Sequence, residues 1–173
     1  MMDGQTRLHR FRYYCSAGFV EKEDIVLDIG CGSGYGTEIL ARNAKKVIGV
    51  DIESGNIVAC EIHFKGKKKK FVEADLEKMD LPECDVAVGM EVIEHLYEPA
   101  KFLEKLKKKT KRLIILSVPL GKTTDTDGSH HHDFMSVDEL NNMVRDENWD
   151  LFYFMFLHVS CFVVYLRKSE YGL

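Results

Sequence analysis

Glu91, Glu94 and His95 stand close together in the stretch MEVIEHLYEP. Their offsets of three and four residues put all three on one face if the stretch is helical. Two carboxylates beside an imidazole suit two kinds of work. His95 can take a proton as a general base, because imidazole titrates near neutral pH. Alternatively, Glu91, Glu94 and His95 can hold a divalent cation, which would lower the pKa of a bound hydroxyl. Carboxylate and imidazole together accept magnesium, manganese or zinc.

A second concentration of chemistry lies earlier. LDIGCGSGYGTEIL places glycines at 30, 32, 34 and 36, directly after an apolar run. Backbone this permissive costs stability unless something needs the room. A dinucleotide site asks for G-x-G-x-x-G, but Tyr35 stands at the third position. The pattern is instead D-x-G-x-G-x-G, with Asp28 on the strand. Two further acids, Asp51 and Asp75, fall where the next two strands should end.

These residues need a frame. DIVLDIG reads as a buried strand, and YGTEILARNA follows at helical spacing. The alternation continues: strand KKVIGVDI, helix SGNIVACEIHFK, strand KKFVEADL, strand CDVAVGM, helix PAKFLEKLKKK with Pro99 in its first turn, and strand RLIILSVP. SVDELNNMVRDEN opens with a capping box, Ser136 and Glu139. WDLFYFMFL and CFVVYLRK are joined only by HVS. That link is too short for a right-handed crossover, so the last two strands form an antiparallel hairpin. The whole predicts one α/β domain over 1–173, a doubly wound sheet with helices on both faces. Its ligand belongs at the carboxyl ends of the strands, where the glycine loop and the first turn of the following helix lie.

With these motifs in place, the chain resembles class I S-adenosylmethionine-dependent methyltransferases, of the branch that includes ubiquinone-pathway O-methyltransferases. The likeness rests on the glycine loop, Asp51, Asp75 and MEVIEHL. It implies a Rossmann-like seven-stranded sheet of order 3-2-1-4-5-7-6 with strand 7 antiparallel. It implies S-adenosylmethionine as cofactor, held by Asp28, Gly30, Cys31, Gly32, Asp51, Ile52, Asp75, Leu76 and Met90. Asp51 would accept from the ribose hydroxyls, and Asp75 with Leu76 would meet the adenine. Asp28 would favour the ammonium and sulfonium charge. Glu91, Glu94 and His95 would then face the methyl acceptor as catalytic residues. E-x-x-E-H also resembles the metal cluster of small-RNA 3′-end 2′-O-methyltransferases, which adds His132 of the H-x-F segment to the metal ligands, with His130 and His131 able to replace it. Residues 1–23 are expected to form a helical segment over the cofactor, with Arg10, Arg12, Tyr13 and Tyr14 reaching the cofactor or the acceptor.

Bulk properties narrow the partners. The chain has 173 residues, 45% of them hydrophobic, and a formal net charge of −4. This is a globular composition without a global positive field for nucleic acid. The basic runs KGKKKKF and KLKKKTKR each precede a strand, so they lie at the amino ends of the sheet, away from the cofactor, and read as solvated turns. Five cysteines without a CxxC pair argue against a disulfide framework and fit a reducing cytoplasm. The N-terminal stretch has no apolar core for a signal peptide, and no apolar run reaches membrane-spanning length. The expected activity is O-methylation of a small-molecule acceptor by a cytoplasmic monomer or homodimer. A metal-dependent RNA 2′-O-methyltransferase and a non-catalytic cofactor-binding subunit are the alternatives.

Overall fold

The computed structural model describes residues 4–122 and 130–170. Seven strands form a single sheet: β1 (Ile25–Ile29), β2 (Lys46–Asp51), β3 (Lys69–Glu73), β4 (Cys84–Met90), β5 (Thr110–Pro119), β6 (Trp149–Leu157) and β7 (Ser160–Arg167). Their order is β3-β2-β1-β4-β5-β7-β6. β7 runs antiparallel to both neighbours, and the strands from β3 to β5 run parallel. The architecture expected from the sequence is therefore the one observed. The short HVS link makes a hairpin through His158, whose positive φ of 59° supplies the tight reversal.

Five helices cover the sheet: α1 (Gly4–Ala17), α2 (Tyr35–Leu40), α3 (Ser54–His63), α4 (Pro99–Lys109) and α5 (Val137–Val144). β1 is buried on both faces, which is why it reads as a continuous apolar run. Leu27 and Ile29 face one layer, with Phe102, Leu103 and Leu106 of α4, Leu140 and Val144 of α5, and Trp149. Val26 faces the other, with Tyr13 of α1 and Ile39 and Leu40 of α2. Pro99 starts α4, and Lys105 on that helix donates to the carbonyls of Leu76, Glu77 and Met79.

Two elements depart from expectation. The helix after the glycine loop stops at Leu40, and residues 41–43 tighten into turns, Arg42 N–H donating to Ile39 and Asn43 N–H to Leu40. The Asn43 amide donates to the Ala17 carbonyl at 2.6 Å, tying that turn to the end of α1. The stretch after β4 is a single 3₁₀ turn, Ile93–His95, and not a longer helix.

Candidate active site

The glycine loop leaves β1 and enters α2. Gly34 has φ 81°, and a Cβ there would lie 2.5 Å from Cys60 Sγ and 3.0 Å from the Phe64 ring. Both strain and space require glycine. Gly34→Ala is therefore expected to lower folding stability by about 1–3 kcal/mol, measured by urea unfolding. Gly36 serves a different neighbour: a Cβ there would lie 2.2 Å from the Tyr13 ring, so this glycine is the seat of α1. At Gly32, in contrast, nothing lies within 4 Å of where a Cβ would be. The loop keeps room on that side for a ligand.

Asp28 lies beneath this loop, fully buried. Its carboxylate accepts from Tyr13 Oη at 3.0 Å and Thr37 Oγ1 at 2.5 Å. Burial pushes its pKa up to about 7, against the lowering effect of those two hydroxyls. No cationic side chain pairs with it among the described residues. Asp51, at the tip of β2, accepts from Gly32 N–H at 2.7 Å, Glu53 N–H at 3.0 Å and Asn56 Nδ2 at 3.2 Å. Asp75 lies two residues past β3, where Lys78 at 2.6 Å holds its pKa below the usual range. The three acids thus sit at the carboxyl ends of three adjacent strands. Cys31, Leu76 and Met90 are buried near these tips, whereas Ile52 is 62% exposed beside Asp51.

α1 lies across this end of the sheet and is tied down at four points. Tyr13 bonds Asp28; His9 contacts the Met90 carbonyl at 3.3 Å and the Tyr35 hydroxyl; Arg12 faces Glu91 at 3.5 Å. Arg10 stacks its guanidinium over the Tyr35 ring, while Tyr14 is largely exposed.

On the other side of β4, the chain does not continue as a regular helix. Glu91 adopts φ 55°, which turns the chain before the 3₁₀ turn begins. Its carboxylate accepts from Ser117 Oγ at 2.8 Å and Ser160 Oγ at 3.2 Å, so Glu91 joins the tips of β5 and β7 to Arg12 of α1. Glu94 and His95 instead meet His130: one ligand atom from each lies within 4.8 Å of the others. The backbone explains this, since His131 N–H and His132 N–H both donate to the Glu94 carbonyl, at 2.8 and 3.0 Å. Both Glu94 carboxylate oxygens are buried with no hydrogen-bond partner among the described residues, and burial, together with the nearby charge of Glu91, raises the pKa to about 8. A buried carboxylate of this kind fits a cation. His132 turns away: Nε2 lies 3.0 Å from Glu139 Oε1, in the first turn of α5, and its ring packs on Phe134. Of the four residues expected around a metal, the structure brings together Glu94 and His95, puts His130 in place of His132, and leaves Glu91 as an anchor.

Several members of these networks had only faint sequence signals. Ser117 is the one polar residue inside the apolar run LIILSVP, and Ser160, the other donor to Glu91, opens β7. Thr37 looks like an ordinary helix residue. The lysine runs stand at the amino ends of β3 and β5 as expected, and many are engaged: Lys69 with Glu38, Lys107 with Glu104 and Asp146, Lys109 with Asp80.

Comparison with known proteins points the same way. A family model described as a methyltransferase domain matches residues 27–114. A Mycobacterium tuberculosis protein described as an S-adenosylmethionine-dependent methyltransferase is 29% identical over 131 residues, covering 70% of this chain and 47% of its own. The mitochondrial ubiquinone biosynthesis O-methyltransferase of Schizosaccharomyces pombe is 30% identical over 148 residues, covering 72% of this chain and 54% of its own. The chain spans about half the length of these relatives. Among solved structures, magnesium protoporphyrin IX methyltransferase from Synechocystis, with bound SAH, superposes with TM-score 0.73 at 17% identity over 96% of this chain and 89% of its own. A chain from the complex of the Haloferax volcanii Trm112 methyltransferase activator with its methyltransferase gives 0.79 at 15%, over 95% and 91%. The matched segment begins on β1, just ahead of the glycine loop, and runs through the Glu94–His95 turn into β5, half of the chain: this chain belongs to the methyltransferase domain family.

Proposed function

We propose that this chain binds S-adenosylmethionine and transfers its methyl group to an oxygen of a small-molecule acceptor. The observation that carries the reading is Asp28: a fully buried carboxylate with hydroxyl donors but no cation among the described residues, directly beneath a glycine loop with open space at Gly32. A ligand bearing positive charge supplies what that carboxylate lacks. The named relatives support the same cofactor.

The residues divide the work by side. Asp28 attracts the ammonium end, while Asp51, fixed by three donors at the β2 tip, is placed for ribose hydroxyls. Asp75 and Leu76 stand at the neighbouring tip for the base, with Gly30, Cys31, Ile52 and Met90 around the same loop and strand ends. The cofactor supplies a methyl group on a positively charged sulfur. On the acceptor side, His95 accepts the proton as the acceptor oxygen forms its bond to carbon. The sulfur–carbon bond breaks and the sulfur leaves uncharged, so charge is conserved. Glu91 acts indirectly, holding α1 through Arg12 and the strand tips through Ser117 and Ser160.

A competing reading replaces that base with a divalent metal held by Glu94, His95 and His130, which would polarise the acceptor oxygen. The partnerless Glu94 oxygens favour it. A transfer assay with labelled methyl donor and a panel of small phenols and alcohols, run with and without chelator, tests both readings. Transfer that a chelator abolishes supports the metal; transfer that it leaves intact assigns the proton to His95 alone. Failure to bind S-adenosylmethionine in calorimetry overturns the reading.

A further inference from the structure

β6 is the outermost strand of the sheet, paired only with β7. Exposed edge strands are usually blunted by charge, proline or brevity. β6 spans nine residues, and its segment Leu151–Leu157, LFYFMFL, contains neither a charge nor a proline. Its one irregularity is a bulge between Leu151 and Tyr153, after which residues 153–157 pair regularly with β7. Phe152 is 60% exposed, Phe154 51%, Phe156 62% and Val159 59%, with Tyr153 at 42%. The rings line both faces of the edge: Phe154 meets Phe156 edge-on at 5.9 Å on one, while on the other Phe19 packs on both Phe152 and Tyr153. The nearest charge on the strand, Asp150, is paired with Arg145.

The geometry points to a second copy of this chain as the occupant, joined by antiparallel β6–β6 pairing about a two-fold axis. The register follows from the hairpin. A two-residue turn closes on a hydrogen-bonded pair, here Leu157 with Ser160. The N–H and C=O groups of residues 153, 155 and 157 therefore face β7, and those of 154 and 156 face outward. A two-fold at Met155 sets Phe154 opposite Phe156 of the second copy, and the reverse. Both pairs then offer outward-facing backbone groups, giving four backbone hydrogen bonds. The same register clusters four phenylalanine rings on one face and sets Tyr153 opposite Leu157 on the other. At about 200 Å² for a full ring, the five exposed side chains leave about 500 Å² per copy. Two copies thus bring together up to about 1,000 Å², the low end of interface sizes and that of a weak, reversible dimer. An uncharged surface that matches itself in register suits a copy of the same chain better than a charged partner.

The test uses the full chain. Sedimentation from low to hundreds of micromolar should show a concentration-dependent dimer. Phe154→Lys and Phe156→Lys should each weaken it by about tenfold or more, with cofactor binding and melting temperature retained. Met155→Cys should cross-link into a dimer on mild oxidation, because residue 155 faces its own copy, whereas Val58→Cys, exposed on α3, should not. Three results overturn the inference: a monomer at every concentration, a dimer that survives both lysine variants, or a monomer that co-sediments with phospholipid vesicles and so uses the rings on a membrane.

Discussion

Asp28→Asn is expected to stabilise the ligand-free protein at pH 8 while weakening S-adenosylmethionine binding by about 10–100-fold, the worth of a charge-assisted hydrogen bond. The two effects have one cause. The buried carboxylate has a folded-state pKa of about 7 against an ordinary 3.8. A group raised in this way contributes most to folding when protonated, and its contribution is lost as pH rises through 7. The gap corresponds to about 4 kcal/mol at full ionisation, of which we expect about 2–4 kcal/mol to be measurable. Asparagine keeps the shape, accepts one hydroxyl from Tyr13 or Thr37, and carries no charge to desolvate. In melting experiments the variant should exceed the wild type by roughly 5–10 °C at pH 8. The difference should shrink through pH 5 and disappear near pH 4, where the unfolded chain's aspartate also holds its proton. Binding carries the opposite signature. An ammonium group needs the carboxylate ionised, so wild-type affinity should fall by up to tenfold per pH unit below about 7, and the asparagine variant should lose that slope. A variant less stable than wild type at pH 8, with unchanged affinity, would remove Asp28 from the cofactor site.

The sheet was legible because its signals are local and repeated. Apolar runs such as IVLDI and LIILSV, spaced by helical segments, allow little but a doubly wound sheet, and a link as short as HVS forces the reversed last strand. Asp28 and Asp51 were legible for the same reason, since each follows an apolar run, whereas Asp75 follows the charged strand KKFVE and was legible only by its place after the third strand. The acceptor side was not. Spacing placed Glu91, Glu94 and His95 on one helical face, but a single left-handed residue, Glu91, redirects the chain and sends its carboxylate to Ser117 and Ser160. No three-residue pattern announces that turn. Likewise, the choice of His130 over His132 depends on two long-range backbone bonds to the Glu94 carbonyl and on the competing carboxylate of Glu139, seven residues along. The capping box shows the same limit on a small scale: Ser136 Oγ accepts from Glu139 N–H as expected, but the Glu139 side chain takes the N–H of Met135.

Glu94→Gln is expected to lower methyl transfer by about 10²–10⁴-fold, and His95→Ala by a similar factor, the usual weight of a positioned proton acceptor or of the group that activates its substrate. Rates alone do not separate the two roles, but heat stability does. Glu94 brings two buried oxygens, without a hydrogen-bond partner among the described residues, to a point where one imidazole nitrogen from each of His95 and His130 lies within 4.8 Å. If that point binds a divalent cation, zinc or manganese at about 100 times its dissociation constant should stabilise the wild-type fold by about 2.7 kcal/mol, which for a chain of this length raises the melting temperature by roughly 5–10 °C. The glutamine variant should lose this rise entirely, because a neutral amide offers a weaker oxygen ligand and no charge. His95→Ala should lose most of it. Without metal and above pH 8, where the wild-type side chain ionises, Glu94→Gln should melt at or above the wild type, since the amide costs less to bury than an unpartnered carboxylate. That control separates lost chemistry from lost folding. Should no cation move the wild-type melting curve while His95→Ala still abolishes transfer, the imidazole works as a base on its own, and Glu94 is left to hold His95 and the His130 loop in place through its backbone carbonyl.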